Sequence, residues 1–381
     1  MKSPCLLLLC ALAAQPVFAQ TQGTPPADHD SQELAAWFQS TWVVQRKSAV
    51  NSPYSGPNSL IADQERSYTF TNTAYLGARP WQGGEVYLNV ESAQGQSFSG
   101  GLVGLGAFTN GELVRGNGTN PTIYRQRVFL RQTWNQGGGS EYQESEANQL
   151  AGNVDKNRFV LTVGNFSVLD IFDDNAYAKD PRTQFLNFSF MSYPAFDYAA
   201  DARGYSWGFA GEWYLNDWVL RFGRMTGPKE PNGLPGDYNI GKHYGDQMEL
   251  EHAHTLGGQP GKVRLLAWRN RAKLARFDDA LASFNANPGA DPQAILRVRN
   301  GEQIKYGLGV NAEQAVNDSL GVFMRAMKAD GHTETYAFVE ADASVSFGAS
   351  LKGTAWRRGQ DTVGFGLARN MLSKDRRNYL A

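Results

Sequence analysis

The stretch TIYRQRVFLRQTW, Thr122 to Trp134, decides the fold class. Reading every second residue gives two rows. One is Tyr124, Gln126, Val128, Leu130, Gln132 and Trp134; the other is Arg125, Arg127, Phe129, Arg131 and Thr133. A β-strand sends alternate side chains to opposite faces. One face is then largely apolar and ends in aromatics, while the other carries arginines.

The same period of two runs along most of the chain. Val86, Leu88 and Val90 alternate with Tyr87, Asn89 and Glu91. Tyr205, Trp207, Phe209 and Trp213 share a row with Gly211, against Ser206, Gly208, Ala210 and Glu212. Trp218, Leu220 and Phe222 oppose Val219, Arg221 and Gly223, and Met248 and Leu250 oppose Gln247, Glu249 and Glu251. Further alternating runs surround Tyr306, Met324, Phe347 and Phe365. Connections alternate in length, short at Leu215 to Asp217 and Gly257 to Gly261, long at Pro181 to Asp201, Thr226 to Gly245 and Asp278 to Arg299. Short turns at one rim and long loops at the other are the pattern of an outer-membrane barrel.

Sidedness follows from cost. An arginine facing lipid at mid-depth costs about 2–4 kcal/mol, so three on one strand select the water-filled side. Arg125, Arg127 and Arg131 are therefore expected to line a lumen, where their donor forks suit neutral hydroxyls as well as anions. Glu91, Glu212, Glu249 and Glu251 on other inner rows, with Arg221, would balance that charge. The competing reading is a solvated outer face on a soluble β-protein.

The N-terminal MKSPCLLLLCALAAQPVFAQ has one early lysine, a short apolar run and a Val17-Phe18-Ala19 ending. It reads as a secretory signal peptide over residues 1–19. Both cysteines, Cys5 and Cys10, fall inside it, which excludes disulfides, cysteine catalysis and thiolate metal sites in the exported chain. Residues 20–36 read as a polar linker or a short helix, since Asp30 to Glu33 has capping-box spacing. Residues 37–381 read as the barrel. Lys and Arg total 36 against 37 Asp and Glu, a balance that argues against nucleic acid. No later apolar run is long enough for a spanning helix, and a mean hydropathy of −0.44 hides a wall whose apolar residues are spread over alternate positions.

Chemistry is weakly signalled. Glu249 and Glu251 lie about 7 Å apart as i, i+2 strand neighbours, within the range of inverting glycosidases, but acidic neighbours are equally at home in a wet lumen. His252 and His254 continue the Met248–Leu250 row towards a turn, which favours a rim position over a metal site. The glycine-rich tract Ser99 to Glu112 lacks the Lys-Ser/Thr of a phosphate loop and reads as a loop of small residues folded against other surface. No cofactor and no metal are expected.

FDDNAYAKDPRTQFLN, Phe172 to Asn187, followed by AFDYAADARGYSWG, Ala195 to Gly208, resembles the carbohydrate-selective porin family of Gram-negative outer membranes. Ser52 to Leu60, Gly104 to Glu112, Asn148 to Gly152 and Tyr244 to Gly258 are similar to family stretches as well. The resemblance covers about Trp37 to Leu380. It implies a transmembrane, antiparallel, up-and-down barrel of about 16 strands, narrowed by inward-folded loops and passing sugars down a gradient. Asp173, Asp174, Asn175, Asp180 and Arg182 become candidate partners for sugar hydroxyls, although the same segment can bond to itself through Asx turns. About 13 or 14 strands are countable here, and the chain ends Asn378-Tyr379-Leu380-Ala381 without a terminal aromatic. A C-terminally incomplete family member is the resulting expectation.

The function expected is passive, selective diffusion of carbohydrates through an arginine-lined outer-membrane channel, without catalysis. The partners expected are sugars as permeants and outer-membrane lipid, with a homo-oligomer as a candidate assembly. The alternatives are an outer-membrane carbohydrate-active enzyme or polysaccharide-export component, and a soluble periplasmic carbohydrate-binding sandwich.

Overall fold

The structure is a computed structural model that describes residues 31–51, 59–100, 109–113, 118–287, 294–337 and 340–381. The leader, the polar linker up to residue 30, most of the Ser52 to Leu60 stretch and the middle of the glycine-rich tract lie outside the described residues.

In chain order the strands are β1 (Leu34–Lys47), β2 (Glu65–Trp81), β3 (Gly84–Gln96), β4 (Gly118–Asn135), the small pair β5 (Ser140–Gln143) and β6 (Gly152–Asp155), and β7 (Arg158–Phe166). Then come β8 (Ser206–Leu215), β9 (Trp218–Met225), the short β10 (Gly227–Pro228) and β11 (Gly236–Asp237), β12 (Tyr244–Leu256) and β13 (Gln259–Lys273). The last are β14 (Glu302–Ala315), β15 (Leu320–Ala329), β16 (Ala343–Lys352) and β17 (Thr362–Met371). Thirteen of them form one sheet in the order β1-β2-β3-β4-β7-β8-β9-β12-β13-β14-β15-β16-β17, each pair antiparallel, with β1 and β17 at the two ends of that order. It is the up-and-down meander of a transmembrane barrel wall.

The outer face is greasy. Leu265 is 55% exposed, Leu308 65% and Phe365 66%, values that fit lipid contact and not a soluble fold's core. Trp81, Trp134, Trp213 and Trp218 are exposed beside the short turns. Trp134 stacks on Phe159 at 5.7 Å and Trp218 on His252 at 4.2 Å, so the ring of His252 joins an aromatic girdle at that rim. The β12–β13 turn is Gly257-Gly258, both at positive φ (60° and 80°), the backbone a two-residue hairpin requires.

The inner face is polar and buried, and the core lies inside the barrel. Residues 167–205, between β7 and β8, turn inward and carry the helix α1 (Phe188–Met191), whose N-terminus Asn187 caps by accepting from the Ser189 N–H. Val168, Phe172, Tyr193 and Phe196 pack there against wall residues Phe129, Trp268 and Met327. At the long-connection rim sit α2 (Phe277–Ala286), α3 (Ala294–Arg297) and α4 (Lys374–Leu380), with Phe277 and Tyr379 in ring contact at 5.6 Å.

Two local expectations are corrected. The segment from Leu34 is a strand and not a helix. It runs in register with β2, Leu34 opposite Ala78 through Lys47 opposite Glu65, and a full ladder of backbone hydrogen bonds outweighs a capping signal of about 1 kcal/mol. The second correction lies in TIYRQRVFLRQTW itself. Asn89 pairs with Arg127 but Val90 pairs with Arg125, so Gln126 is an extra residue in β4. A bulge of this kind resets the alternation. Tyr124 opposes Glu91 on the inner face, and Arg125 shares the outer face with exposed Val90. The arginine row is therefore broken at Arg125.

Candidate functional site

The inner surface at the β4 bulge is built around carboxylates. Glu91 accepts from Tyr124 Oη, from Gln126 Nε2 at 2.6 Å and from Thr73 Oγ1 at 2.6 Å. Gln126 Oε1 accepts from Arg127 Nη1 at 2.5 Å. Arg127 then grips Asp170 with both arms of its fork, Nε to Oδ2 and Nη2 to Oδ1, each at 2.7 Å. Asp170 also accepts the Ser167 N–H at 2.9 Å. Burial pushes this carboxyl up, but the guanidinium beside it outweighs burial and holds it below the usual carboxylate range. Bidentate pairs of this kind fix geometry as well as energy, and here the pair sets where the inward segment begins.

Beside that pair is a cavity of about 230 Å³ lined by Arg127, Asp170, Lys179, Asp180 and Arg203, with Phe188, Met191 and Tyr198 as apolar wall. A second cavity, of about 270 Å³, is lined by Tyr124, Arg125, Asp201, Arg203, Tyr205, Trp207 and Tyr238. Arg203 borders both. Its guanidinium lies 4.3 Å from the Tyr124 ring, and Arg127 lies 5.0 Å from that of Tyr205. Charged forks and aromatic faces so arranged suit a ligand with hydroxyls on its edge and C–H groups on its face.

The other residues singled out in the sequence are placed as follows. Arg125 stacks over Trp207 at 5.0 Å. Arg131 donates to the Asn148 carbonyl at 2.9 Å and lies 3.7 Å from Glu85. Asp173, at φ 55°, accepts from Asn311 at 2.6 Å and from Arg325 at 2.8 Å, while its own N–H donates to Glu249 at 2.8 Å. Asn175 accepts from the N–H groups of Tyr177 and Ala178, an Asx turn, and donates to Asn311 at 2.8 Å. Asp174 pairs with Lys179 at 2.8 Å, and that ammonium holds its carboxyl well below the usual range. Asp180 accepts from the Arg182 N–H and the Thr183 hydroxyl, and Arg182 donates to Glu112 at 3.0 Å. Glu112 and Gly111 end the glycine-rich tract and are buried here, the Gly111 N–H donating to the Leu186 carbonyl at 2.8 Å. Glu212, Glu249 and Glu251 all converge on Arg221 at 3.0–3.1 Å.

The carboxylates on β12 are thus clamped by guanidinium groups, and most of the Asp173 to Arg182 segment is spent fastening the inward loop. Arg264, Arg325, Asn311, Asp197 and Arg203 are equally central and were not singled out. Arg264 joins Glu251 at 2.7 Å to Glu313 at 3.1 Å, and Lys305 reaches Asp197 at 3.1 Å. Arg264 and Arg325 were visible as the polar members of alternating stretches. Arg203 and Asp197 lie in a segment with no period to expose them.

Residues 58–381 match the model of the carbohydrate-selective porin, OprB family. Among solved structures, the chain is similar to Pseudomonas putida OprB at high pH, with 16% identity and a TM-score of 0.60, covering 92% of this chain and 77% of that one. It also matches Pseudomonas aeruginosa OccK2 (OpdF) at 10% identity and TM-score 0.36, covering 86% and 77% of the two chains. A match to Salmonella typhi OmpF in complex with daunomycin has 7% identity and TM-score 0.38, covering 90% and 92%. No curated protein sequence matches. The family match spans most of the chain, and its fold is similar to that of the Pseudomonas putida porin: the chain belongs to the OprB family of carbohydrate-selective porins, β-barrels of the Gram-negative outer membrane.

Proposed function

We propose that sugars pass this barrel by way of the polar gap between β4 and the inward loop, with Arg127 as the arginine that meets them. The observation carrying this reading is the cavity of about 230 Å³ in which Arg127, Asp170, Lys179, Asp180 and Arg203 present donors and acceptors beside an apolar wall. A neutral polyol is recognised by such alternating donors and acceptors, and near-balanced charge lets it leave again, as passive conduction requires. Arg131, Arg182, Arg221, Glu212, Glu249, Glu251, Asp173 and Asn175 act in this reading as fasteners of loop and wall, with Asp174 neutralising Lys179. Arg125 belongs to the rim.

The test is sugar block of ionic current in planar bilayers, read with a panel that includes glucose and maltose. Arg127→Ala should weaken block about 10-fold, the worth of a hydrogen bond from a charged group. Arg131→Ala should leave it unchanged. Equal block in wild type, Arg127→Ala and Asp180→Ala would reject the assignment.

A further inference from the structure

The outward row of β13 changes character partway along the strand. It reads Val263, Leu265, Ala267 and then Arg269, Arg271, Lys273. Leu265, Ala267, Arg269 and Lys273 are all exposed. The neighbouring outward rows switch at the same rim. On β9, Trp218, Leu220 and Phe222 are followed by Arg224, and on β12, Leu250 and Met248 give way to Asp246 and Tyr244. This is the long-connection end of the wall, on the face away from the sugar route.

The side chains form one patch. Asp246 accepts from Arg224 at 2.7 and 3.0 Å and from Arg269 at 3.0 and 2.9 Å. The Tyr244 ring lies 3.8 Å from the Arg224 guanidinium and 5.7 Å from that of Arg269. Glu302 takes Arg271 at 2.9 Å and Lys242 at 2.8 Å, with His243 at 3.5 Å. Arg224, Lys242, Arg269 and Arg271 thus share the carboxylates of Asp246 and Glu302 in these contacts, and Lys273 adds a further exposed cation on the same row. The Arg269 and Lys242 side chains remain half exposed. The acids hold the guanidinium groups in place and leave an excess of positive charge.

We propose that this patch binds the phosphate-bearing headgroup of a lipid in the leaflet at the long-connection rim. The chemistry singles out that occupant. The cations begin where the lipid-facing apolar row ends, so a ligand must carry hydrocarbon below and anionic charge above. Arginine forks held by Asp246 and Glu302 are preorganised for phosphate oxygens, and basic groups at a membrane surface recruit anionic lipid.

The test is native mass spectrometry of the detergent-solubilised barrel titrated with diphosphorylated lipid A, its dephosphorylated form and phosphatidylcholine. The wild type should prefer the phosphorylated lipid and lose it as salt rises. The triple variant Arg269→Gln, Arg271→Gln, Lys273→Gln should bind about 100-fold more weakly, with sugar block intact. If that variant fails to fold, Arg271→Gln alone should show the same preference reduced several-fold. Equal binding of phosphorylated and dephosphorylated lipid by the wild type would overturn the proposal. So would a variant that keeps its lipid but loses an oligomer, which would make the patch a contact between copies of the chain.

Discussion

Arg325 on β15 donates through Nε to Asp173 Oδ1 at 2.8 Å, and the two residues are 152 apart in sequence. Both are essentially fully buried. Arg325 also donates to the carbonyls of Ala178 at 2.6 Å and Phe190 at 3.0 Å. One guanidinium therefore ties two turns of the inward loop to the wall.

Removing one partner of such a pair strands the other in a dry interior. Asp173→Ala should cost about 3–5 kcal/mol of loop docking. The expected readout is faster limited proteolysis within residues 174–190 and a larger, noisier single-channel conductance. Replacing both residues by apolar ones of similar volume should restore much of the protection.

The Arg127–Asp170 pair gives a pH dependence of definite sign. Because the folded carboxyl sits below the usual range, its contribution is complete above the unfolded value of about 4 and is lost as pH falls through the folded one. Sugar block should thus be flat from neutrality to about pH 5 and decline only below about pH 4. Asp170→Asn should show weaker block at neutral pH and no such acid step.

Sidedness can be tested directly. Leu308 on β14 is 65% exposed on the outer row, so Leu308→Arg should destabilise the barrel in phospholipid by about 2–4 kcal/mol if it sits at mid-depth. Equilibrium urea unfolding from vesicles measures this. A neutral outcome would place that face in water.

Deleting Gln126 should restore simple alternation in β4. Arg125 would stay opposite Val90 and Tyr124 opposite Glu91, so Glu91 would lose the Gln126 donor and keep that of Tyr124. The expected result is a barrel that still folds, seen as a retained heat-modifiable band on gels, with a loss close to that of Gln126→Ala, which costs about 1–3 kcal/mol through the donor lost to Glu91.

The period of two by itself determined much of this protein. It made Tyr87, Asn89 and Glu91 one face and Val86, Leu88 and Val90 the other, because strand geometry is a local property of each residue and its neighbours. The alternation of short and long connections likewise declared a meander with two unlike rims. What only the tertiary structure decided is where that local rule breaks and what the polar face does. A single extra residue at Gln126 turns Arg125 out of the lumen, since a bulge depends on the hydrogen bonds of the partner strand and leaves no mark in the period. The acidic segment after Phe172 reads in sequence either as a ligand surface or as a loop bonded to itself. Much of it is fastening, because Asp173 and Asn175 find Asn311 and Arg325 only once the wall has brought β14 and β15 to them.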